Sequence, residues 1–185
     1  PTRHRFASGP TAATVPATLG SPGTRLRLRT EVLAGTWEAL INGQADLAIG
    51  VGLESTSTPA GVQTKELGSV EFVYALAPHH PLAAAAAPLT DAELMRHRAV
   101  AVADSAQRLT PLTVNLLPGQ DVLTVSSMQH KIETLLRCMG SGFVPEPMVR
   151  EHISSGRLVV KTLARALRMP KIGYAWRMPD PAAPG

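Results

Sequence analysis

Patterns of apolar and polar positions predict alternating strands and helices in the first part of the chain. Residues 26–32 alternate apolar side chains with Arg and Thr, which predicts a strand with one buried face. Residues 37–41 carry apolar side chains at helical spacing, and Asn42-Gly43 ends that short helix. Residues 45–51 are almost wholly apolar, as in a strand buried on both faces. Strand, helix and buried strand in this order predict a parallel βαβ unit.

Further strands are predicted from short apolar runs bounded by turn residues. They cover residues 70–77, 99–103, 122–125, 143–145, 158–161 and 172–177. Residues 3–7 are predicted to form another short strand, whereas the prolines and glycines of residues 8–24 leave any helix there short or broken. Residues 52–66 are rich in Ser, Thr, Gly and Pro and are predicted to be a loop.

Two capping boxes predict helix starts in the second half of the chain. Thr90 caps a short helix, and Ser126 is predicted to cap a longer one. The longer helix has the clearest apolar stripe in the sequence, formed by Met128, Ile132, Leu135, Leu136 and Met139. Gly140 is predicted to end this helix, and Pro147 to take the first position of a further helix that ends by Gly156.

The order of these elements predicts two α/β lobes. Residues 1–71 and 178–185 form lobe I, residues 79–171 form lobe II, and residues 72–78 and 172–177 are strands that cross between them. A chain that crosses out and back is expected to leave a cleft between its lobes. Small ligands bind in such clefts, at the carboxyl ends of parallel strands.

The amino-acid composition argues against several classes of function. The chain has 185 residues, and 44% of them are apolar, which is enough for a folded core. Aromatic residues are 4%, which argues against binding single-stranded nucleic acid by stacking. The single cysteine, Cys138, excludes an internal disulfide and a multi-cysteine zinc site, and it is predicted to be a buried structural thiol.

Charge and hydropathy add two expectations. The net charge is +4, and residues 150–177 carry seven cations with one acid, Glu151. A solvated surface is the favoured interpretation of this basic stretch, and attraction of polyanions is the alternative. No apolar run approaches the roughly 20 residues that a membrane span needs, so no membrane partner is expected.

Four segments in order resemble the effector-binding domain of LysR-type transcriptional regulators. They are GTWEALINGQADLAIGV (35–51), EFVYALAPHHPLA (71–83), GSGFVPEPM (140–148) and YAWR (174–177). The resemblance runs from about residue 25 to residue 177. It implies an α/β, periplasmic-binding-protein-like fold with an interlobe cleft, a small-molecule inducer in that cleft, and no cofactor. It also implies a homodimer or homotetramer in the cytoplasm.

The resemblance also implies what surrounds this domain. In the full-length family a winged helix-turn-helix and a linker helix precede it. Residues 1–185 contain neither, and the chain begins without methionine, so we expect a fragment whose parent contacts DNA only through that N-terminal domain. Two departures from the family fall on lobe I: a compressed, proline-interrupted stretch in residues 1–24, and no final helix in residues 178–185.

Candidate ligand-binding residues lie at helix starts and strand ends. Spacing alone favours a simple cap at Gly35-Thr36, whereas the resemblance places this loop on the cleft. The other candidates are Ser8 after the first strand, Ala103, Asp104 and Ser105 after a central strand, Ser126, Ser127 and Met128 at the facing helix start, and the apolar Phe143, Val144 and Pro145. Core packing explains Phe143-Val144-Pro145 equally well. We hypothesise that these residues bind a small organic acid or a substituted aromatic compound.

Other chemistries are less well supported by the sequence. His79-His80 lies in a strand-ending turn and is expected to be solvated rather than to bind a metal. Gly50-Val51-Gly52 resembles a dinucleotide loop, but no helix follows it. No G-x-S-x-G elbow is present, so we expect no catalytic residues and no enzyme activity. A solute-binding protein of a transport system is the alternative function, and a small α/β enzyme is the weakest.

Overall fold

A computed structural model describes residues 3–8, 25–53, 58–110, 112, 114–166 and 170–178. The described strands are β1 Arg3–Ser8, β2 Arg25–Thr30, β3 Leu47–Gly52, β4 Val62–Ser69, β5 Phe72–Leu76, β6 Ala99–Val102, β7 Val122–Val125, β8 Ser141–Pro145, β9 Val159–Lys161 and β10 Lys171–Arg177. The described helices are α1 Ala34–Ile41, α2 Asp91–Leu94, α3 Met128–Leu136 and α4 Glu146–Ser154, and Pro81–Ala83 forms a 3₁₀ turn.

The chain divides into two compact units. Unit 1 contains Pro1–Ser69, Asp104–Leu112 and Pro170–Gly185, and unit 2 contains Val70–Ala103 and Thr113–Met169. These boundaries differ from the predicted lobes in two respects. The segment Asp104–Leu112 joins unit 1, and the two predicted crossover strands lie inside the sheets, β5 in unit 2 and β10 in unit 1.

Unit 1 contains a five-stranded sheet in the order β2-β1-β3-β10-β4. β2, β1 and β3 are parallel, and β10 is antiparallel to both β3 and β4. The predicted βαβ unit is therefore confirmed, with β1 paired between its two strands. Its core is the contact of α1 with β3 and β10, formed by Ala39, Leu40, Ala45, Ala48, Val51 and Ala175.

β4 was predicted as loop over residues 62–66, and that prediction is wrong. The strand Val62–Ser69 lies at the edge of the sheet and pairs with β10 alone. Its sequence, VQTKELGS, is mostly polar because partly buried positions alternate with exposed ones along an edge strand. An apolar run is needed only where a strand is covered on both faces.

Unit 2 contains a second five-stranded sheet in the order β7-β6-β8-β5-β9. β7, β6 and β8 are parallel, and β5 is antiparallel to β8 and β9. Apolar clusters cover both faces. One lies against α3 and α4 and contains Ala75, Val100, Ile132, Leu135, Val144, Val149 and Leu158. The other contains Tyr74, Leu76, Leu82, Leu89, Leu94 and Phe143.

Helix boundaries in unit 2 confirm some predictions and correct others. The capping box at Thr90 is formed, since its hydroxyl accepts from the Glu93 amide while Glu93 accepts from the Thr90 amide. α4 begins at Glu146, so Pro147 is its second residue rather than its first. Leu158, which follows α4, is fully buried.

The end of α3 also differs from the prediction. The helix ends at Leu136, and Cys138, at φ +57°, takes the left-handed conformation that Gly140 was predicted to supply. Gly140 instead permits close packing, because a Cβ there would lie 2.8 Å from Val100 Cγ2 and 2.9 Å from the Arg98 carbonyl oxygen. Met139 is 48% exposed and does not belong to the buried stripe. Cys138 is half-buried rather than buried.

Leu135→Ala tests which residues of the predicted stripe carry the core of unit 2. Leu135 is fully buried, so we expect a loss of about 2–5 kcal/mol in the free energy of unfolding, measured by urea denaturation. Met139→Ala is the control, and its effect should stay within about 0.5 kcal/mol because Met139 is largely exposed. Equal effects of the two substitutions would contradict this assignment of the core.

Candidate functional site

The carboxylate of Asp104 joins the Asp104–Leu112 segment to the start of α1. Its Oδ2 accepts from the amides of Ala34 at 3.1 Å and Leu112 at 2.7 Å. Its Oδ1 accepts from the amides of Gly35 at 3.0 Å and Ala106 at 2.9 Å. Burial raises the pKa of Asp104, but these four donors outweigh burial and hold the pKa below the ordinary value of 3.8.

Ser105 lies against the loop that precedes α1. Its hydroxyl accepts from the Val32 amide at 2.8 Å and donates to Glu31 Oε2 at 2.6 Å. Glu31 is buried and forms an ion pair with Arg29. Gly35 permits this contact, because a Cβ there would collide with Ser105 Oγ and lie 2.7 Å from the Ser105 carbonyl carbon.

Glu38, on α1, accepts hydrogen bonds from the middle of the Asp104–Leu112 segment. Its Oε2 accepts from the amides of Gln107 at 3.0 Å, Arg108 at 2.8 Å and Leu109 at 3.0 Å. The Leu109 and Arg108 amides are the main reason that the pKa of Glu38 is lowered. The sequence analysis missed Glu38, and no local motif marks it.

These contacts correct the hypothesis that the start of α1 offers free amides to a ligand. α1 begins at Ala34, so Gly35 and Thr36 are inside the helix, and Leu33 precedes it without a side-chain cap. The Ala34 and Gly35 amides already donate to Asp104, and the Thr36 amide donates to the Leu33 carbonyl oxygen. Thr36 is 2% exposed. The candidate residues Gly35, Asp104 and Ser105 therefore form one internal network of unit 1.

The start of α3 in unit 2 is arranged differently. Ser127, not Ser126, is the N-cap, and its hydroxyl accepts from the His130 amide at 3.1 Å. Ser126 Oγ instead lies 2.9 Å from His130 Nδ1, so the predicted capping box with Ser126 and Gln129 is wrong. Within the described residues, the amides of Met128 and Gln129 have no acceptor. Two amides at this helix start are therefore free to donate to a group outside the described residues.

Most of the other predicted site residues lie in or beside the second sheet, and Ser8 lies in the first. Ala103 is exposed, and its amide donates to the Val125 carbonyl oxygen. Phe143 and Val144 are buried on opposite faces of β8, and Pro145, which ends the strand, is also buried. Ser8 ends β1 in unit 1, and its side chain lies outside the part of the chain whose side chains are described.

Phe143 belongs to an aromatic cluster that the sequence did not reveal. Its ring meets Tyr74 edge to face with centroids 5.1 Å apart, and the Arg165 guanidinium lies 5.8 Å from its centroid. The Tyr74 hydroxyl lies 2.7 Å from Ser141 Oγ. Burial raises the pKa of Tyr74 despite that hydrogen bond and the nearby Arg165 charge. These contacts support core packing as one role of Phe143.

His80 was expected to be solvated, and that expectation is wrong. It is 6% exposed, its Nδ1 accepts from the Leu82 amide at 3.2 Å, and its ring lies 5.2 Å from that of His97. Burial, and then the charge of His97, lower the pKa of His80. No group of three or more His, Cys, Asp or Glu residues in the described part of the chain is placed to hold a metal ion. Among the same residues, no helix is long and apolar enough to cross a membrane.

Comparison with known proteins identifies the family. The family model described as the LysR substrate binding domain matches residues 19–184. The chain belongs to this family. It is 39% identical over 137 residues to the probable HTH-type transcriptional regulator YhaJ of Escherichia coli strain K12. That alignment covers 74% of this chain and 46% of YhaJ. It is 36% identical over 142 residues to the transcriptional activator AllS of Klebsiella pneumoniae, in an alignment that covers 76% of this chain and 52% of AllS. The chain thus spans about half the length of these curated relatives.

Solved structures show the same fold. The effector binding domain of QuiR in complex with shikimate aligns with a TM-score of 0.67 at 14% identity, covering 99% of this chain and 90% of that domain. The regulatory domain of the LysR-family regulator MetR from Neisseria meningitidis aligns with a TM-score of 0.66 at 19% identity, covering 97% of this chain and 86% of that domain. The predicted α/β, periplasmic-binding-protein-like fold is confirmed.

Asp104→Asn tests the network that joins the Asp104–Leu112 segment to α1. Asparagine has one acceptor oxygen for four amides, so we expect a loss of about 2 kcal/mol in the free energy of unfolding at pH 7. Because the pKa of Asp104 is lowered on folding, its ionised form stabilises the protein above pH 3.8, and this contribution is lost as the pH falls through the lower folded value. The variant should therefore lose less stability than the wild type on acidification below about pH 4.

The measurement is urea denaturation between pH 3 and pH 7. Asp121→Asn is the control, since Asp121 is exposed and its carboxylate pairs with Arg98 and with no other described residue, and it should cost less than about 1 kcal/mol. An unchanged acid dependence in Asp104→Asn would contradict the proposed role of the carboxylate.

Gly35→Ala tests the close approach of Ser105. The new Cβ would meet Ser105 backbone and side-chain atoms, so we expect a loss of about 1–3 kcal/mol, read from thermal unfolding. Gly52→Ala is the matched control, because a Cβ at Gly52 meets no atom within 4 Å among the described residues. Tolerance of Gly35→Ala would show that the segment can move away from α1.

Proposed function

We propose that this chain senses a small organic or aromatic acid on behalf of a LysR-type transcriptional regulator. The match of residues 19–184 to the LysR substrate binding domain carries this proposal. The relatives YhaJ and AllS are described as transcriptional regulators, and the QuiR effector domain binds shikimate, itself a carboxylic acid. A solute-binding protein of a transport system is the less favoured function, because the regulators match in sequence as well as in fold.

The effector would act by shifting a conformational equilibrium of the regulator. A ligand can do this only to the extent that it binds one state more tightly than the other. The parent would be a homodimer or homotetramer in the cytoplasm, with DNA contacted through a separate N-terminal domain. The chain itself would be a binding module and not an enzyme.

The start of α3 is our first candidate for contact with the effector. Its Met128 and Gln129 amides have no acceptor among the described residues, whereas the first amides of α1 are occupied by Asp104. Amides at a helix start favour an anionic group. Ser127 caps this helix and is only partly buried. The candidates of lower rank, whose described contacts are structural, are Gly35, Thr36, Ala103, Asp104, Ser105, Phe143, Val144 and Pro145.

Ser127→Asp tests this candidate without removing the cap. Aspartate is a good N-cap, so thermal stability should stay close to that of the wild type. Its negative charge would repel an acidic effector, and affinity should fall at least about tenfold. The measurement is a thermal-shift screen of organic and aromatic acids, followed by calorimetric titration of those that bind.

Thr90→Asp is the control, because it places the same charge at the N-cap of α2. It should leave the affinity unchanged. Equal affinity of Ser127→Asp and the wild type would remove α3 from the effector site, and turnover of a bound acid would revive an enzymatic function.

A further inference from the structure

Lys131 is a buried lysine inside the apolar face of α3. It is 7% exposed and lies between Met128 and Leu135, which belong to the stripe that packs on the second sheet. Its Cε and Nζ lie 3.1 and 3.2 Å from the position that a Cβ on Gly142 would take. The missing side chain of Gly142, in β8, therefore provides the room that the lysine occupies.

Nothing in the described structure balances the charge of this lysine. Within the described residues its ammonium group forms no hydrogen bond and no ion pair, and burial is the one cause acting on its pKa. Burial lowers the pKa to about 8, so the ammonium form still predominates at pH 7. Lys161 makes the contrast clear, because its Nζ donates to the carbonyl oxygens of Ala83 and Ala85.

The position of Lys131 along α3 adds to this cost. It is the fourth residue of the helix, and its amide donates to the Ser127 carbonyl oxygen at 3.0 Å. Cations are unfavourable near a helix N-terminus, where the partial charge of the backbone is positive. The side chain of Lys131 is buried, but its Nζ reaches solvent, since the fully buried polar atoms without a partner in the described residues are His152 Nδ1 and Arg165 Nε. Partial burial of a charge without a partner is still unfavourable, and an apolar side chain of similar size would avoid both penalties. A residue that lowers stability in the free protein suggests that a ligand completes its environment.

We propose that Lys131 supplies the counter-charge for a carboxylate on the effector. This inference rests on the proposed function and deepens it, since it makes the negative charge of the effector a requirement. One ammonium is balanced by one carboxylate without a second cation. Lys131 lies one helical turn after Ser127 on α3, so a carboxylate that accepts from the Met128 and Gln129 amides would be bound one turn away from the lysine.

The test compares small carboxylates with their uncharged amides. Thermal shifts and calorimetric affinities are measured for a panel of aromatic and aliphatic acids, each paired with its primary amide, with benzoate and benzamide as the first pair. The proteins are the wild type, Lys131→Met and Lys65→Met. Lys65 is exposed on β4, so its replacement changes the net charge equally without touching α3.

We expect at least one acid to bind the wild type and Lys65→Met with the same affinity, and its amide to bind at least tenfold more weakly. Lys131→Met should unfold at a higher temperature than the wild type without ligand, because a partly desolvated charge near a helix N-terminus has been removed. It should nevertheless bind the acid at least tenfold more weakly. This combination of higher stability and weaker binding is not expected of a lysine with a purely structural role.

The other outcomes separate the two proposals. Equal affinity of Lys131→Met and the wild type for the acid, or binding of the amide as tight as that of the acid, would overturn the role of Lys131 and leave effector sensing intact. Lower stability of Lys131→Met would show that the ammonium has a stabilising partner and would also overturn it. Lys131→Gln supplies the affinity comparison if Lys131→Met does not fold. Failure of every acid and amide to bind the wild type would overturn both proposals.

Discussion

The carboxylate of Asp104 accepts hydrogen bonds from four backbone amides, and much of unit 1 depends on it. Two of these amides begin α1, and two belong to the Asp104–Leu112 segment, which comes much later in the chain. The described residues of that segment form no helix or strand, so their backbone groups need acceptors from elsewhere. Asp104 and Glu38 together accept from five amides of this segment and from two amides of α1. The same constraint requires Gly at residue 35, where the segment comes too close for a side chain.

The starts of α1 and α3 differ in whether their backbone amides already have hydrogen-bond acceptors. At α1 the Asp104 carboxylate accepts from the first two amides, so these amides already have an acceptor within unit 1. At α3 the Ser127 hydroxyl satisfies one amide, and two others have no described acceptor. Lys131 adds a positive charge one turn further along, with no ion-pair partner in the described part of the chain. The first helix start is therefore hydrogen-bonded to a carboxylate of unit 1, and the second is the candidate for effector contact proposed above.

Local sequence signals predicted the elements whose causes are local. The capping box at Thr90 was predicted correctly because both of its hydrogen bonds join residues three positions apart. The buried strands β3, β5, β6 and β8 were predicted because burial on both faces requires continuous apolar runs. β4 was missed because an edge strand can remain polar. The cap of α3 was misplaced by one residue because two serines stand side by side and either could accept the helix amide.

The sequence by itself determined the family, the α/β class and most of the strands, because these depend on apolar periodicity and short motifs along the chain. It also singled out Asp104, Ser105 and Ser127 as residues at strand ends and helix starts. Only the tertiary structure decided what those residues contact. Asp104 and Gly35 are 69 positions apart, and Glu38 and Arg108 are 70 apart, so no local pattern links them. The burial of Lys131 likewise depends on the packing of α3 on β8, which places the lysine over Gly142.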